Sequence, residues 1–154
     1  MIINFPNTPH VQGEMKLPRP AIYLLGTYHD PPWQIEAARK MEKSVGCIFD
    51  GRPRVSDQTG RLMFAQWQQF WMTECDILVF WLGPTVESND GREFLWNEFE
   101  FGWACGSRKE FVIGVDEKLP AAKESIELTL GVLGLDNIVY SNQEELIKAV
   151  TIKR

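Results

Sequence analysis

The stretch CDILVFWLG, residues 75–83, contains the longest strongly apolar run of the chain. From Ile77 to Leu82 it is made only of aliphatic and aromatic residues, and Gly83 follows. A short continuous run of this kind is typical of a strand that is buried on both faces of a sheet. Such strands belong to parallel sheets that helices cover on both sides. The stretch therefore predicts the α/β class.

Shorter apolar runs occur along the rest of the chain and alternate with segments of helical periodicity. The predicted strands are 21–26, 47–51, 75–83, 110–115 and 137–141, and the predicted helices are 33–45, 61–74, 92–106, 120–134 and 142–150. This alternation predicts a flavodoxin-like or Rossmann-like doubly wound sheet of five parallel strands with helices on both faces. Residues 1–20 contain four prolines and are expected to form an irregular arm, followed by a single domain over 21–154.

Apolar stripes predict which side of each helix faces the sheet. In the helix 33–45 the predicted stripe consists of Ile35, Ala38, Met41 and Val45. In the helix 61–74 it consists of Phe64, Trp67 or Gln68, and Trp71.

Composition narrows the possible partners. The chain has 154 residues and a formal net charge of -5, so it has no basic surplus for a nucleic-acid backbone. The apolar runs are far too short to span a bilayer, and the first residues lack the features of a signal peptide. We expect a cytoplasmic protein that binds neither nucleic acid nor membrane.

Metal and cofactor motifs are not found in the sequence. The three cysteines have no metal-ligand spacing and are expected to be buried, reduced thiols. His10 and His29 have no neighbouring Cys or suitably spaced carboxylate. The patterns GxGxxG, GxxxxGK[ST] and GxSxG are missing, which argues against both phosphate cradles and a serine-hydrolase elbow. No metal and no cofactor are predicted.

The loops that follow the strands are the expected place for a site. In doubly wound folds, ligands bind beyond the carboxyl ends of the strands. The loop after the first predicted strand begins at Gly26 and Thr27, the loop after the second at Asp50, and the loop after the third contains Asp90. We expect these residues to contact a substrate.

The helix after the third predicted strand contains the segment WNEFEFGWACG, residues 96–106. Glu98 is interpreted as a surface acid near the helix start. Glu100 shares its face with Trp96 and Trp103, which predicts an enclosed carboxyl group. Phe99 is expected to pack the helix on the sheet. A glycine within a helix costs stability, so Gly102 is interpreted as a point where another group approaches the backbone.

Three segments in this order resemble the nucleoside 2-deoxyribosyltransferases and their looser relatives. They are Ile22-Tyr23-Leu24 in the first predicted strand, Cys75-Asp76-Ile77 in the third, and Glu100-Phe101-Gly102-Trp103-Ala104. The resemblance extends from residue 21 to about residue 115. It implies an enzyme that cleaves the N-glycosidic bond of a nucleoside and transfers the sugar to another base.

The resemblance also implies roles for individual residues. Glu100 is the expected nucleophile, the Tyr23 hydroxyl holds its carboxylate, and Asp76 handles the proton of the leaving base. An ionised carboxylate suits this chemistry because N-glycoside cleavage passes through an oxocarbenium-like state. Asp90 or Asn97 is expected at the sugar hydroxyls. Trp103 belongs to an aromatic set on which a flat base can stack.

The sequence also bears on the phosphorylation of the substrate and on the oligomeric state, and it is compatible with two alternative functions. No serine-rich stretch precedes Glu100, which favours an unphosphorylated nucleoside, and the resemblance implies a homodimer or higher homo-oligomer. The first alternative is an N-glycoside hydrolase, which differs in admitting water after the base leaves. The second is a non-catalytic nucleotide-binding or sensing module, because fold does not fix function.

Overall fold

The computed structural model describes residues 1–4, 16–27, 32–52, 58–84 and 92–152, with no side-chain description for Asn4, Gln58 and residues 92–98. The strands are β1 (Ile2–Asn4), β2 (Ala21–Gly26), β3 (Cys47–Asp50), β4 (Ile77–Leu82), β5 (Glu110–Val115) and β6 (Val139–Tyr140). The helices are α1 (Trp33–Met41), α2 (Gln58–Glu74), α3 (Arg92–Ser107), α4 (Pro120–Val132) and α5 (Gln143–Ile152). Within these ranges, no helix combines the length and the apolar character that crossing a membrane requires.

The strands form a parallel sheet in the order β1-β3-β2-β4-β5-β6. Apart from β1, the sheet has five strands in the order β3-β2-β4-β5-β6, which is the flavodoxin-like order and confirms the predicted class. The sixth strand, β1, differs from the prediction because Ile2–Asn4 lies in the expected irregular arm. It pairs with β3 at the sheet edge, where Ile2 is opposite Ile48. A three-residue strand has too little sequence pattern to be recognised before its partner is known.

The residues of β2 alternate between the two faces of the sheet. Tyr23 and Leu25 face α2, α3 and α4, whereas Ile22 and Leu24 face α1 and α5. All four side chains have 0% exposure, as expected of a central strand that helices cover on both sides. The sheet thus separates two cores, and a side chain on α3 lies on the same face as Tyr23.

The predicted stripes are confirmed for α2 and only in part for α1. Phe64, Trp67, Gln68 and Trp71 are all buried. In α1, however, Ile35 is 54% exposed, and the buried residues are Trp33, Gln34, Ala37, Ala38 and Met41. The face of α1 is rotated relative to the prediction because Trp33, the largest residue of the helix, packs into the core.

Candidate active site

The carboxyl ends of β2 and β4 form the switch point of the sheet, where the chain turns to opposite sides after neighbouring strands. Gly26 ends β2 with φ +116, and a Cβ atom there would lie 2.0 Å from the carbonyl oxygen of Trp81. The Thr27 N–H donates to the same carbonyl at 2.9 Å, and the Gly83 N–H donates to Thr27 Oγ1 at 2.7 Å. Gly26 and Thr27 therefore join the two strand ends, and they lie at the predicted edge.

Asp50 ends β3 at the same edge and is 5% exposed. Its carboxylate accepts two hydrogen bonds from Arg52 Nε, at 2.7 and 2.9 Å, and a further contact from the Arg52 Nη2 group. The Arg52 backbone N–H also donates to Asp50 Oδ1 at 3.2 Å. Asp50 thus fixes the start of the loop after β3 and has its charge balanced by Arg52.

Glu100 lies in the middle of α3 and is 3% exposed. Its Oε1 accepts a hydrogen bond from Gln68 Nε2 on the neighbouring helix α2. Its Oε2 is out of contact with solvent and has no hydrogen-bond partner among the described residues. Burial raises the pKa of Glu100 to about 8, and the Gln68 hydrogen bond acts in the opposite direction. The prediction of an enclosed carboxyl group is confirmed.

Aromatic side chains are numerous in the core on the face of the sheet that α2 and α3 cover. Trp67, next to Gln68 in α2, lies with its ring centroid 6.0 Å from that of Tyr23 on β2. Phe101, next to Glu100, packs against Phe80 with centroids 6.2 Å apart. Trp103 is partly buried against the same core. Glu100, buried on this side of the sheet, is out of contact with water, which disfavours the charged form of its carboxyl group.

Tyr23 lies on the face of the sheet that α3 also covers, but no hydrogen bond joins its hydroxyl to the Glu100 carboxyl group. Its ring stacks on Phe49 with centroids 6.0 Å apart and an interplanar angle of 5°. The donor to the Glu100 carboxyl group is Gln68, because α2 places this amide directly against α3. The predicted Tyr23 bond to Glu100 is therefore wrong for this structure.

Asp76 lies immediately before β4, at the amino ends of the strands. Gly26, Thr27 and Asp50 lie at the opposite, carboxyl ends. Its carboxylate accepts hydrogen bonds from Arg19 Nη1 at 2.8 Å and from the Ala21 N–H at 2.7 Å. At about 3.3 Å per residue, β4 separates Asp76 from the carboxyl edge by roughly 20 Å. The role predicted for Asp76 at the leaving base does not fit this position, and the residue instead joins the amino ends of β2 and β4.

Four other predictions have different outcomes. Asp90 lies outside the described residues, and Asn97 is described only as a backbone position in α3. Phe99 is 65% exposed, so the prediction that it packs the helix on the sheet is wrong. A Cβ atom at Gly102 would meet nothing within 4 Å among the described residues, so none of them approaches its backbone as expected.

Gln68 is the residue of this site that sequence reasoning did not identify as functional. It is 3% exposed and lies four residues after Phe64, on the stripe that faces the sheet. A buried amide needs a hydrogen-bonding partner, so a glutamine on an apolar stripe is a signal of a polar contact inside the fold. The partner, Glu100, is 32 residues away in sequence and becomes visible only when α2 and α3 are placed together.

Comparison of the sequence with models of known protein families and with curated proteins finds no match. In the described part of the chain, no three His, Cys, Asp or Glu side chains are grouped so that they could hold a metal ion. The geometry around Glu100 and the resemblance of the motifs are therefore the grounds on which a function can be assigned.

Proposed function

We propose that the chain is a nucleoside 2-deoxyribosyltransferase-like enzyme in which Glu100 is the nucleophile. The supporting observation is the buried Glu100 carboxyl group, with Oε1 bound by Gln68 and Oε2 without a partner among the described residues. A buried polar atom without a partner costs stability, and such costs are concentrated at functional sites. The resemblance places the nucleophile of the family at the same residue.

The proposed reaction has two displacements at the anomeric carbon of the sugar. In the first, the ionised Glu100 Oε2 forms a bond to C1′ while the C1′–N bond breaks, and the electron pair goes to the departing base, which takes up a proton from water. In the second, a ring nitrogen of another base attacks C1′, loses its proton and releases the Glu100 carboxylate. Asp76 has no part in this scheme because it lies at the amino ends of the strands, away from the carboxyl ends where ligands bind.

Gln68 positions the nucleophile in this proposal. Its amide donates to Oε1, which restrains the rotation of the carboxyl group and leaves Oε2 as the attacking atom. The same hydrogen bond lowers the pKa of Glu100 against the effect of burial. Gln68 thereby favours the ionised form that nucleophilic attack requires.

The dry surroundings of Glu100 support transfer over hydrolysis. Oε2 has no contact with solvent in the structure, so a substrate reaches it only after neighbouring side chains move. A site that closes around a glycosyl ester protects it from water and allows a second base to accept the sugar. If water instead hydrolysed the glycosyl ester, the enzyme would be an N-glycoside hydrolase.

The proposed partner is a second copy of the chain, in addition to a nucleoside and a free base. Helix α2 has no charged residue from Leu62 to Thr73, and both Leu62 and Met63 are more than half exposed. Phe99 on α3 is also exposed, and the Gly102 backbone is open. We refer to Leu62, Met63, Phe99 and Gly102 as the α2/α3 surface, and its apolar character supports self-association.

The test is incubation of the protein with a deoxynucleoside in the presence and absence of a second free base. Chromatography should detect a new nucleoside only when the second base is present. Glu100→Gln, which keeps the shape of the side chain, should lose base release by at least about a thousandfold, since the covalent step needs the carboxylate. Glu124→Gln, at an exposed position of α4, is the matched control and should retain wild-type rates.

The products of the reaction and the rate of the Glu100→Gln variant distinguish the candidate functions. Free deoxyribose in both reactions would identify a hydrolase. Release of base at wild-type rate by a folded Glu100→Gln variant would exclude Glu100 as the nucleophile. If no common deoxynucleoside or nucleoside loses its base, the chain is not this kind of enzyme.

A further inference from the structure

A cleft lies at the carboxyl ends of β4, β5 and β6, on the face of the sheet that α1 and α5 cover. Its volume is about 660 Å³, which is within the range of small-molecule sites. Ligands of doubly wound folds bind at this edge of the sheet. The sheet separates the cleft from Glu100, because α3 packs on the other face, so the reaction proposed above does not explain it.

Three neighbouring strands bring the lining residues of the cleft together. Trp81 on β4 is opposite Gly114 on β5, and Gly114 is opposite Tyr140 on β6. Asp116 follows Gly114 by two residues, and α5 begins at Gln143, three residues after Tyr140. At about 3.3 Å per residue and about 4.8 Å between strands, the backbones of Trp81 and Asp116 are roughly 8 Å apart. Trp81, Asp116 and Gln143 all line the cleft, so one small molecule can contact all three.

Trp81 provides a hydrogen-bond donor at the floor of the cleft. It lines the cleft and is 2% exposed. A Cβ atom at Gly114 would lie 2.8 Å from Trp81 Cε3, so the indole ring lies directly against β5. Its Nε1 is out of contact with solvent and has no acceptor among the residues that the structure describes. Because buried N–H groups normally have a partner, this atom indicates a ligand that presents an acceptor.

The first turn of α5 provides further donors. Asn142 precedes the helix, where its Oδ1 accepts the Glu145 N–H at 2.9 Å and its carbonyl oxygen accepts the Leu146 N–H at 3.2 Å. The N–H groups of Gln143 and Glu144 make no hydrogen bond within the described ranges. Both residues line the cleft, and the amino end of a helix attracts carboxylate groups. This turn therefore suits the carboxylate of a ligand.

The charged side chains of the cleft indicate a cationic group as well. Five carboxylates and three lysines line it. Lys40 is paired with Glu36 at 2.9 Å and with Glu144 at 3.8 Å. Asp116 is half-buried, and none of the ion pairs between described side chains involves it. Its Oδ1 accepts the Lys118 N–H at 2.9 Å, which leaves Oδ2 for a cation.

A ligand with both charges satisfies both sets of groups. A phosphate would face the excess of carboxylates, and a simple amine would leave the Trp81 N–H without an acceptor. We propose that the cleft binds a free α-amino acid, with its ammonium group at Asp116 and its carboxylate at the Trp81 N–H and the first turn of α5. One carbon atom joins the two charged groups of such a ligand, which suits partners that line a single cleft.

The test uses the whole chain, with the standard α-amino acids as probes. Each is added at about 10 mM during thermal unfolding, and at least one should raise Tm by about 2 °C or more. Calorimetric titration then compares that amino acid with its N-acetyl form, which lacks the ammonium group, and with its amide, which lacks the carboxylate. Each derivative should bind at least about tenfold more weakly. If no standard amino acid raises Tm, or if either derivative binds as tightly as its parent, the proposal is wrong.

Two variants locate the ligand in the cleft. Asp116→Asn keeps the acceptor for the Lys118 N–H but loses the charge, and Trp81→Phe keeps an aromatic ring but loses the N–H. Both should weaken binding by about tenfold or more. The matched controls are Asp136→Asn, at an exposed position outside the cleft, and Trp71→Phe, which removes a buried N–H without a partner from the other face; both should retain wild-type affinity. Wild-type affinity in either cleft variant, with its fold confirmed by circular dichroism, would overturn the proposal, and Asp116→Asn decides if Trp81→Phe does not fold.

Binding in the cleft is independent of the proposed reaction. Glu100→Gln should bind the amino acid with wild-type affinity, because Glu100 lies on the other face of the sheet. This result would support the cleft whether or not the protein releases a base from a nucleoside. A loss of amino-acid affinity in Glu100→Gln would instead place the ligand at Glu100 and overturn the proposal.

Discussion

At the scale of single residues, Glu100 makes stability depend on pH. Burial raises its pKa from 4.5 to about 8, so the folded chain retains a proton that the unfolded chain has lost. The free energy of unfolding therefore decreases as pH rises from about 4.5 to about 8, by about 1.4 kcal/mol per pH unit from this group. Glu100→Gln removes this contribution, and its stability relative to wild type should increase steadily from pH 5 to pH 8.

Urea denaturation of both proteins at pH 5, 6, 7 and 8 measures this difference. The control is Glu124→Gln, which removes one carboxyl group from an exposed position of α4 and should follow wild type at each pH. A constant difference between Glu100→Gln and wild type over the whole range would contradict the raised pKa.

Gln68 provides a second prediction at the same scale, for activity rather than stability. Its hydrogen bond favours the ionised form of Glu100, so Gln68→Leu should raise the pKa of Glu100 further. In wild type, kcat/KM should rise with pH as Glu100 ionises, near its pKa of about 8. In Gln68→Leu the same rise should occur at a higher pH. Profiles from pH 6 to pH 10 for wild type, Gln68→Leu and the control Gln69→Leu, at an exposed position of α2, test this, and an unshifted profile in Gln68→Leu would remove Gln68 from its positioning role.

At the scale of elements, Gly102 in α3 gives a prediction about the helix itself. A Cβ atom at this exposed position meets nothing within 4 Å in the part of the chain that the structure describes. Gly102→Ala should therefore raise the free energy of unfolding by about 0.5–1 kcal/mol, because alanine is the better helix former. Gly131→Ala in α4, where a Cβ atom also has open space, is the comparison.

Denaturation at low protein concentration measures both glycine variants. A gain at Gly131 with a loss at Gly102 would show that a group from outside the chain contacts α3 at Gly102. That result would support, for a partner molecule, the close approach to Gly102 that the described residues do not make.

The elements also show how far sequence reasoning reaches. The strand Glu110–Val115 matches its predicted bounds because its apolar run is continuous and ends at polar residues. The face of α1 was misjudged because Ile35 and Trp33 fit different stripes of the same helix, and only packing against the sheet decides between them. Strand β1 was missed because its stability comes from pairing with β3 rather than from its own pattern.

The site residues follow the same division. Burial of Glu100 was predictable from the aromatic residues around it in sequence. Its bond to Gln68 depends on a contact between segments far apart in the chain. The position of Asp76, in contrast, follows from the predicted parallel sheet, because a residue at the start of a parallel strand lies at the amino ends of the strands, away from the carboxyl ends where ligands bind.

At the scale of the whole molecule, the α2/α3 surface predicts self-association. Leu62 is 62% exposed, and the stretch of α2 that begins there carries no charge up to Thr73, so a second copy can cover it without burying an unpaired ion. Leu62→Glu introduces such an ion and should weaken association by more than about tenfold. Sedimentation velocity over a range of protein concentrations measures this, with Leu128→Glu as the control because Leu128 on α4 is 70% exposed on another helix. Equal weakening by both variants would place the interface elsewhere, and a wild-type chain that stays monomeric at high concentration would contradict the role of this surface.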